Sequence, residues 1–406
     1  MTDKKVVAVI FGGRSVEHDV SVLTGLQFLE ALNPTKYDGV AVYVDPLGQW
    51  WSGDALADRK NYPITLDTFK AMRQITLDLA APASGRPSFT WREKTMFGEK
   101  TNSLPFDIAV PAIHGSNGED GTLQGLLDFA GIPYTGCRVA GAAITMDKVA
   151  TKNWARNSGL SVLGEAHIKR PPRGSFLSDE ALQNALKDGL ANTAFPYCVK
   201  PCNLGSSVGV SKALDNDGLM AALLSVFRLD SEAMIEPFVQ NLVEYNIAVR
   251  RDSTGKVVTG SIERPSSEAE LLDFKNKYLS GAKKGPKVNA GQSQGMASLN
   301  RELDPDDLLE SQEKLIRETA VAIFDGLKLA GSVRLDFLGN SQTDELWFNE
   351  ANTIPGSFAY FLWENAETPL SFLELTDAMI TEGFALSSAR LGQTDTASSG
   401  ASIFGE

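Results

Sequence analysis

Ser332-Val-Arg-Leu-Asp-Phe337 and Glu345-Leu-Trp-Phe-Asn-Glu350 are two apolar runs, separated by the polar turn Gly339-Asn-Ser-Gln-Thr343. Both predict strands, and the turn between them predicts a hairpin. Residues two apart on a strand point to one face. Arg334 therefore projects with Asp336, and Glu350 projects with Asn352. Pairing the strands gathers two carboxylates and an amide oxygen beside a fixed guanidinium. Hard oxygen donors of this kind suit Mg²⁺, which usually also takes substrate phosphates. The arginine suits a developing negative charge. Surface hairpins often carry solvated acids, but these lie inside apolar runs, where an unpaired charge is costly. The turn Thr353-Ile-Pro-Gly356 follows and can bring backbone close to a ligand. The pattern points to chemistry on ATP.

Outward from the hairpin, 406 residues support two or three domains with sizeable cores. With 38 basic and 51 acidic residues the net charge is −13, which leaves no basic excess for a nucleic-acid partner. A local basic pocket for a nucleotide remains compatible with that balance. The three cysteines, Cys137, Cys198 and Cys202, are too few and odd in number for a disulfide framework and imply a reducing compartment. Cys198-Val-Lys-Pro-Cys202 has no histidine nearby in sequence, so zinc is not expected and buried or half-buried thiols beside Lys200 are. The apolar stretch 6–11 is too short for a membrane span and lacks a signal-peptide cleavage pattern. A soluble cytoplasmic protein without a membrane partner is expected. The Ser-, Thr-, Ala- and Gly-rich tail from Gly392 is expected to be mobile.

Residues 6–11 predict a buried strand ended by Gly12-Gly13. A helix over 22–32 follows, with Ser15 and Ser21 as candidate N-caps, and then a strand over 39–44. This order predicts a parallel sheet. Residues 46–105 are less regular and read as an elaboration of that domain. A strand over 106–113 leads to the glycine-rich loop His114-Gly-Ser-Asn-Gly-Glu-Asp-Gly121. From about Thr145 the pattern changes: a helix over 148–158, a strand over 195–200, a second Gly/Ser-rich loop over 201–209, a short strand, a helix over 219–229 and a strand over 233–239. This order fits an α+β lobe. The polar stretch 266–300 lacks periodicity, which is usually functional or disordered. A helix over 310–328 then leads into the hairpin.

Gly205-Ser-Ser-Val-Gly209 can wrap phosphate oxygens with backbone N–H groups and the hydroxyls of Ser206 and Ser207, or it can be an ordinary tight turn. It is not a Walker A loop, because Gly-Lys-Ser/Thr is absent. Lys200 and Lys148 are the lysines placed to supply charge there. Glu17, at a helix entrance, either complements the helix dipole or holds an amino acid's ammonium group. His18 and His114 are candidate bases or satisfied polar contacts. Both lie beside glycine-rich loops that follow strands, where α/β sheets bind ligands.

Taken in order, seven segments resemble the D-alanine–D-alanine ligase family of the ATP-grasp superfamily. They are Gly-Gly-Arg-Ser-Val-Glu-His-Asp-Val-Ser (12–21), His-Gly-Ser-Asn-Gly-Glu-Asp-Gly-Thr-Leu-Gln-Gly (114–125), Pro-Tyr-Thr-Gly (133–136), Met-Asp-Lys (146–148), Lys-Pro with Gly-Ser-Ser-Val-Gly (200–209), Arg-Leu-Asp (334–336) and Glu-Ala-Asn-Thr-Ile-Pro-Gly (350–356). The resemblance implies a three-domain ATP-grasp fold combining α/β and α+β parts. An N-terminal parallel-sheet domain would span 1–145 and a central lobe 146–240. A C-terminal lobe would span 241–391 with a lid over 266–300, followed by a flexible tail over 392–406.

By the same resemblance, Lys148, Lys200 and Ser207 would contact ATP phosphates. Glu236 and Val239 would face the adenine, Glu244 the ribose, and Lys277 would join from the lid. Asp336, Glu350 and Asn352 would bind two Mg²⁺ (or Mn²⁺). Glu17 would orient the first D-alanine, with His114 close by and Tyr278 from the lid. Ser206 would help bind the second substrate or a phosphate oxygen, while Arg334 and the Gly356 N–H would stabilise the oxyanion. A homodimer acting on small amino acids is expected.

Two departures bear on the acceptor. Phe361 falls where the family has a serine, while Leu362 is kept, and the lid lacks the usual upstream tyrosine. Losing a hydroxyl and adding an aromatic should alter which acceptor fits. The alternative within the family is therefore transfer to D-serine, D-lactate or another amino acid. A nucleotide-binding regulator without catalysis is disfavoured by the complete set Arg334, Asp336, Glu350 and Asn352. A dinucleotide oxidoreductase is disfavoured by the missing Gly-x-Gly-x-x-Gly spacing after Gly12.

Overall fold

The computed structural model describes residues 4–80, 85–190, 193–265 and 301–394, with backbone alone for the last four. β1 (Lys5–Gly12) is a near-continuous apolar strand with both faces covered, as parallel strands require. α1 (His18–Ala31) returns the chain to β2 (Tyr37–Val44), which pairs with β1 in parallel. β3 (Trp50–Ser52) and β4 (Arg73–Gln74) extend this edge antiparallel, and α2 (Leu66–Lys70) lies between them in sequence. β5 (Thr76–Asp78), β6 (Ser88–Thr95) and β7 (Gly98–Pro105) form a separate antiparallel meander. β8 (Ile108–Pro111) pairs in parallel with the other side of β1, giving the order β4-β3-β2-β1-β8.

The helix begins earlier than its apolar pattern predicts, and Ser21 does not cap it. Ser21 sits inside α1, where its Oγ accepts from Gly12 N at 2.8 Å and donates to the Ala112 carbonyl at 2.7 Å. Ser15 Oγ instead accepts from Glu17 N at 3.1 Å. A buried hydroxyl must find partners, and those available to Ser21 tie the helix to the exits of β1 and β8.

α3 (Thr122–Phe129), α4 (Val139–Met146) and α5 (Lys148–Asn157) lead to the second sheet. It comprises β9 (Ala166–Lys169), β10 (Tyr197–Pro201), β11 (Ser211–Ala213) and β12 (Glu232–Pro237), antiparallel in the order β11-β10-β12-β9. α6 (Asp179–Leu190) and α7 (Asn216–Val226) cover it. Leu182, Leu186 and Leu190 recur every four residues, so one stripe of α6 is apolar and joins Val199 and Ile235 in the core.

The third sheet carries the hairpin. β13 (Leu242–Arg251), β14 (Val257–Pro265) and β15 (Arg301–Leu303) precede α8 (Glu310–Gly326), and β16 (Val333–Asn340) and β17 (Leu346–Asn352) complete the antiparallel order β15-β14-β13-β16-β17. Buried and half-buried residues alternate along β16. Val333, Leu335 and Phe337 pack on Ile316, Ala320 and Ile323 of α8, each such side chain contributing about 1.5–3 kcal/mol when fully buried. Arg334 and Asp336 are thereby forced to the opposite face. After β17 the chain enters a buried turn in which Ser357, Phe358 and Ala359 are left-handed, with φ of 53°, 52° and 52°. α9 (Phe372–Thr394) then packs Leu375, Met379 and Ile380 against the N-terminal sheet. It continues as helix through the first residues of the expected tail. Among the described residues, no helix is long and apolar enough to cross a membrane.

Candidate active site

The hairpin register places Arg334 opposite Asn352 and Asp336 opposite Glu350, with a bulge after Asp336. Arg334 Nε and Nη2 donate to the two Asp336 oxygens, both at 2.7 Å, and Asn352 Nδ2 donates to Asp336 Oδ2 at 3.0 Å. Lys148, first residue of α5, reaches Glu350 Oε2 at 3.1 Å. Burial opposes the charge on both groups, but the pair overcomes it. Lys148 is raised, and Lys148 and Lys200 hold Glu350 at about 2. Lys200 Nζ also donates to Asn349 Oδ1 at 3.0 Å and meets Glu236 Oε2 at 2.6 Å. Lys152, one turn beyond Lys148, pairs with the other oxygen of Glu236. Two buried lysines thus share one carboxylate, and burial pulls both of their pKa values down.

Glu17 immediately precedes α1 and is buried. Ser206 Oγ donates to its Oε1, while Oε2 has no hydrogen-bond partner. Glycines make this approach possible: a Cβ on Gly115 would lie 2.6 Å from Glu17 Oε2, and one on Gly205 would lie 3.2 Å from both carboxylate oxygens. Burial raises the Glu17 pKa against the pull of Ser206 and Lys148, and Glu350 adds to the rise. Glu119 lies beside it, accepting from Gly115 N and Ile354 N, each at 2.9 Å. Burial, then Glu17, push Glu119 up to about 8.

His114 Nε2 is 2.9 Å from Thr24 Oγ1, which accepts from Ser357 N at 3.1 Å. The ring tautomer sets the direction of the Thr24–His114 bond, and His114 is neutral. Burial and Arg334 hold its pKa at about 3. His18 is a satisfied contact, bonded to Gly13 O at 2.8 Å and Tyr43 OH at 3.1 Å.

Ser206 and Ser207 both adopt left-handed backbone, with φ of 52° and 58°, and Val208 N closes the turn on Gly205 O at 3.1 Å. Between this loop and the hairpin lies a cavity of about 20 Å³, lined by Glu119, Lys148, Gly205, Glu350 and Asn352 among others. It holds little more than one water. Val239 lies between β12 and β13, and Glu244 on β13 pairs with Leu338. Gly356 is buried at the start of the left-handed turn. Leu362 is fully buried in the core, and Phe361 is buried with the Arg301 guanidinium 3.8 Å from its ring centroid. Lys277 and Tyr278 lie outside the described residues.

The sequence reading singled out neither Glu119, Lys152, Thr24 nor Asn349. Glu119 had a signal, an acid inside a glycine-rich loop, and Lys152 recurs one helical turn after Lys148. Asp336, Glu350 and Asn352 offer a hard-oxygen donor set on one face with Glu350 ionised, which fits a divalent ion such as Mg²⁺.

The chain matches the model for the D-ala D-ala ligase N-terminus over residues 6–137 and that for the C-terminus over residues 165–381. It is 30% identical to a D-alanine–D-alanine ligase of Thermosipho melanesiensis over 93% of each chain. It is 32% identical to one of Acetivibrio thermocellus over 94% of this chain and 96% of that one. Among solved structures, the D-alanine-D-alanine ligase of Coxiella burnetii superposes with a TM-score of 0.71 at 24% identity, covering 96% of this chain and 99% of that one. The VanG D-Ala:D-Ser ligase of Enterococcus faecalis superposes with a TM-score of 0.68 at 26% identity, covering 94% and 100%. Two family models that between them match most of the chain, and a parallel-sheet domain followed by two antiparallel lobes, agree: the chain belongs to the D-alanine–D-alanine ligase family of ATP-dependent ligases and has its ATP-grasp fold.

Proposed function

We propose that this protein joins two D-alanines through a D-alanyl phosphate, releasing ADP and phosphate, and supplies peptidoglycan precursors in the cytoplasm. The observation that carries the reading is the buried Glu17 carboxylate, with Oε2 unpartnered, set against a loop and lysines suited to phosphate. A buried acceptor without a partner is costly, and an amino acid's ammonium group supplies both the hydrogen bond and the charge. In this reading Glu17 orients the first D-alanine so that its carboxylate attacks the γ-phosphate. Lys148, Lys200 and Ser207 hold the phosphates, and Glu236, Val239, Glu244 and Lys277 complete the nucleotide site. Asp336, Glu350 and Asn352 would hold two Mg²⁺ (or Mn²⁺), which offset phosphate charge during transfer. The second amine attacks the acyl carbon while Arg334 and the Gly356 N–H stabilise the oxyanion. Ser206, His114, Tyr278, Phe361 and Leu362 shape the amino-acid subsites. Neutral His114 acts there as a hydrogen-bonding group.

The test is phosphate release from ATP and Mg²⁺ with D-alanine alone, with the product identified by mass. D-Alanyl-D-alanine is expected, and its absence overturns the reading. One observation favours a second: Phe361 puts a buried aromatic under Arg301 where the resemblance expects a hydroxyl. Under that reading D-serine, the hydroxy acid D-lactate or an amino acid of a secondary metabolite outcompetes D-alanine as acceptor. A homodimer is part of the proposal, and light scattering checks it.

A further inference from the structure

The second sheet holds a cluster that ligation does not use. His167 lies on β9, Glu232 opens β12, and Cys202 follows the end of β10. Antiparallel pairing sets Met234 opposite His167 and Ala233 opposite Pro201, so the three meet at one end of the sheet. One ligand atom from each lies within 4.8 Å of the other two. His167 Nε2 is 2.9 Å from Glu232 Oε2, and Cys202 N donates to the Glu232 carbonyl at 3.3 Å. In sequence Cys198 and Cys202 have no histidine nearby; strand pairing supplies one from 35 residues upstream of Cys202.

The surroundings favour a cation. Burial first, and then Asp230, Glu232 and Asp147, push the Cys202 thiol up to about 12 against the pull of Lys148, so a bound cation has to displace its proton and is met by three carboxylates. Lys169 Nζ is 3.6 Å from Glu232 Oε1, but its side chain is 76% exposed and free to swing away. Asp230 accepts from Asn203 N at 2.7 Å and from Asn203 Nδ2 at 3.2 Å, which fixes the chain just beyond Cys202. Cys202 is buried, whereas the His167 and Glu232 side chains are 28% and 25% exposed, so one side of the cluster is open to solvent. Thiolate, imidazole and carboxylate together suit zinc and its neighbours and not Mg²⁺. Tetrahedral bond lengths set N–O edges of about 3.3–3.5 Å, so the His167–Glu232 pair, 2.9 Å apart, has to open by about half an ångström to admit an ion.

We propose that Cys202, His167 and Glu232 form a binding site for a zinc-like divalent transition ion, with water as fourth ligand. Binding releases the thiol proton to solvent, and the Nε2 proton that His167 shares with Glu232 is exchanged through solvent onto Nδ1, so that Nε2 and the carboxylate each trade their hydrogen bond for a metal bond. The ion would staple β9, β12 and the end of β10 at the root of the Gly205–Gly209 loop. That root is already tied to α5, because the Cys202 carbonyl accepts from Lys148 N at 3.1 Å and the Leu204 carbonyl from Lys148 Nζ at 2.6 Å.

The experiment is titration of the metal-stripped full-length protein with Co²⁺, followed by its thiolate-to-cobalt charge-transfer absorption. One equivalent is expected to produce the band, Zn²⁺ to remove it, and Mg²⁺ to leave it intact. Cys202→Ser should abolish the band, Cys198→Ser and Asp336→Asn should keep it, and His167→Gln should weaken Co²⁺ binding at least about tenfold. No band in the wild-type protein, or a band that survives Cys202→Ser, overturns the proposal. If Cys202→Ser fails to fold, unchanged Co²⁺ affinity in a folded His167→Gln protein overturns it equally.

Discussion

The hairpin and the Glu17 pocket each hold two carboxylates and treat them oppositely. On the hairpin, Asp336 is clasped by Arg334 and Asn352, and Glu350 is held ionised by Lys148 and Lys200. In the pocket, buried Glu17 and half-buried Glu119 lie side by side, and both pKa values are raised. Glu119 has two backbone donors and, at 3.5 Å, the Thr353 hydroxyl, and Glu17 has a single hydroxyl. The hairpin is balanced by the protein's own cations, whereas the pocket is short of positive charge. The contrast is what the proposed function asks for: phosphates with metal ions would suit the hairpin, and an ammonium group would suit the pocket.

Substitution tests the contrast most severely at the hairpin. Asp336→Asn is expected to lower phosphate release by about 10³-fold or more, measured at saturating ATP and Mg²⁺. A change under tenfold would remove the hairpin from the chemistry. Stability offers a sharper contrast, because the two regions should respond with opposite signs. Glu350→Gln strands Lys148 and should cost about 3 kcal/mol in denaturant unfolding. Glu17→Gln relieves a buried carboxylate and should leave stability unchanged or higher, while raising the KM for D-alanine about 10–100-fold. Equal destabilisation by both would break the comparison.

The regions should also separate by pH in the metal-free protein. Glu350, depressed from 4.5 to about 2, contributes stability that is present above 4.5 and lost as pH falls through about 2. Glu119, raised from 4.5 to about 8, contributes stability that is present below 4.5 and lost as pH rises to about 8. Melting curves across this range should lose their acid-side slope in Glu350→Gln and their alkaline-side slope in Glu119→Gln. The smallest effect is expected from Ser206→Ala, which removes one hydrogen bond to Glu17. A loss of about 1 kcal/mol in transition-state binding, close to fivefold in kcat/KM for D-alanine, would place Ser206 in the pocket and not on the hairpin.

Much of this was legible in the chain. The parallel opening and the hairpin follow from apolar period, and Arg334, Asp336, Glu350 and Asn352 emerge on one face because their neighbours must reach α8. The pocket was half legible: Glu17 and His114 stood out beside glycines, but Glu119 looked like one more polar loop residue until Ile354 N closed on it. Lys152 stayed hidden because its partner, Glu236, is 84 residues away on another strand. Ser21 misled because a serine early in a helix suggests a cap, whereas its hydroxyl was required between two strands. Local patterns encode which face a residue shows, and only pairing across the fold reveals what meets it.

The hydrogen bond from Ser206 to Glu17 joins residues 189 positions apart, one on the loop after β10 and one at the entrance to α1. In control terms it is a coincidence detector. Neither the N-terminal sheet nor the central lobe can report a finished donor pocket alone; the signal exists only when both are in place. Under the proposed function the loop that carries Ser206 would also meet phosphate, so its placement would answer to two ligands at once. On that reading a donor amino acid without nucleotide, or nucleotide without donor, would leave the pocket with one input low, and an acylphosphate would not be committed to a site that water can still enter.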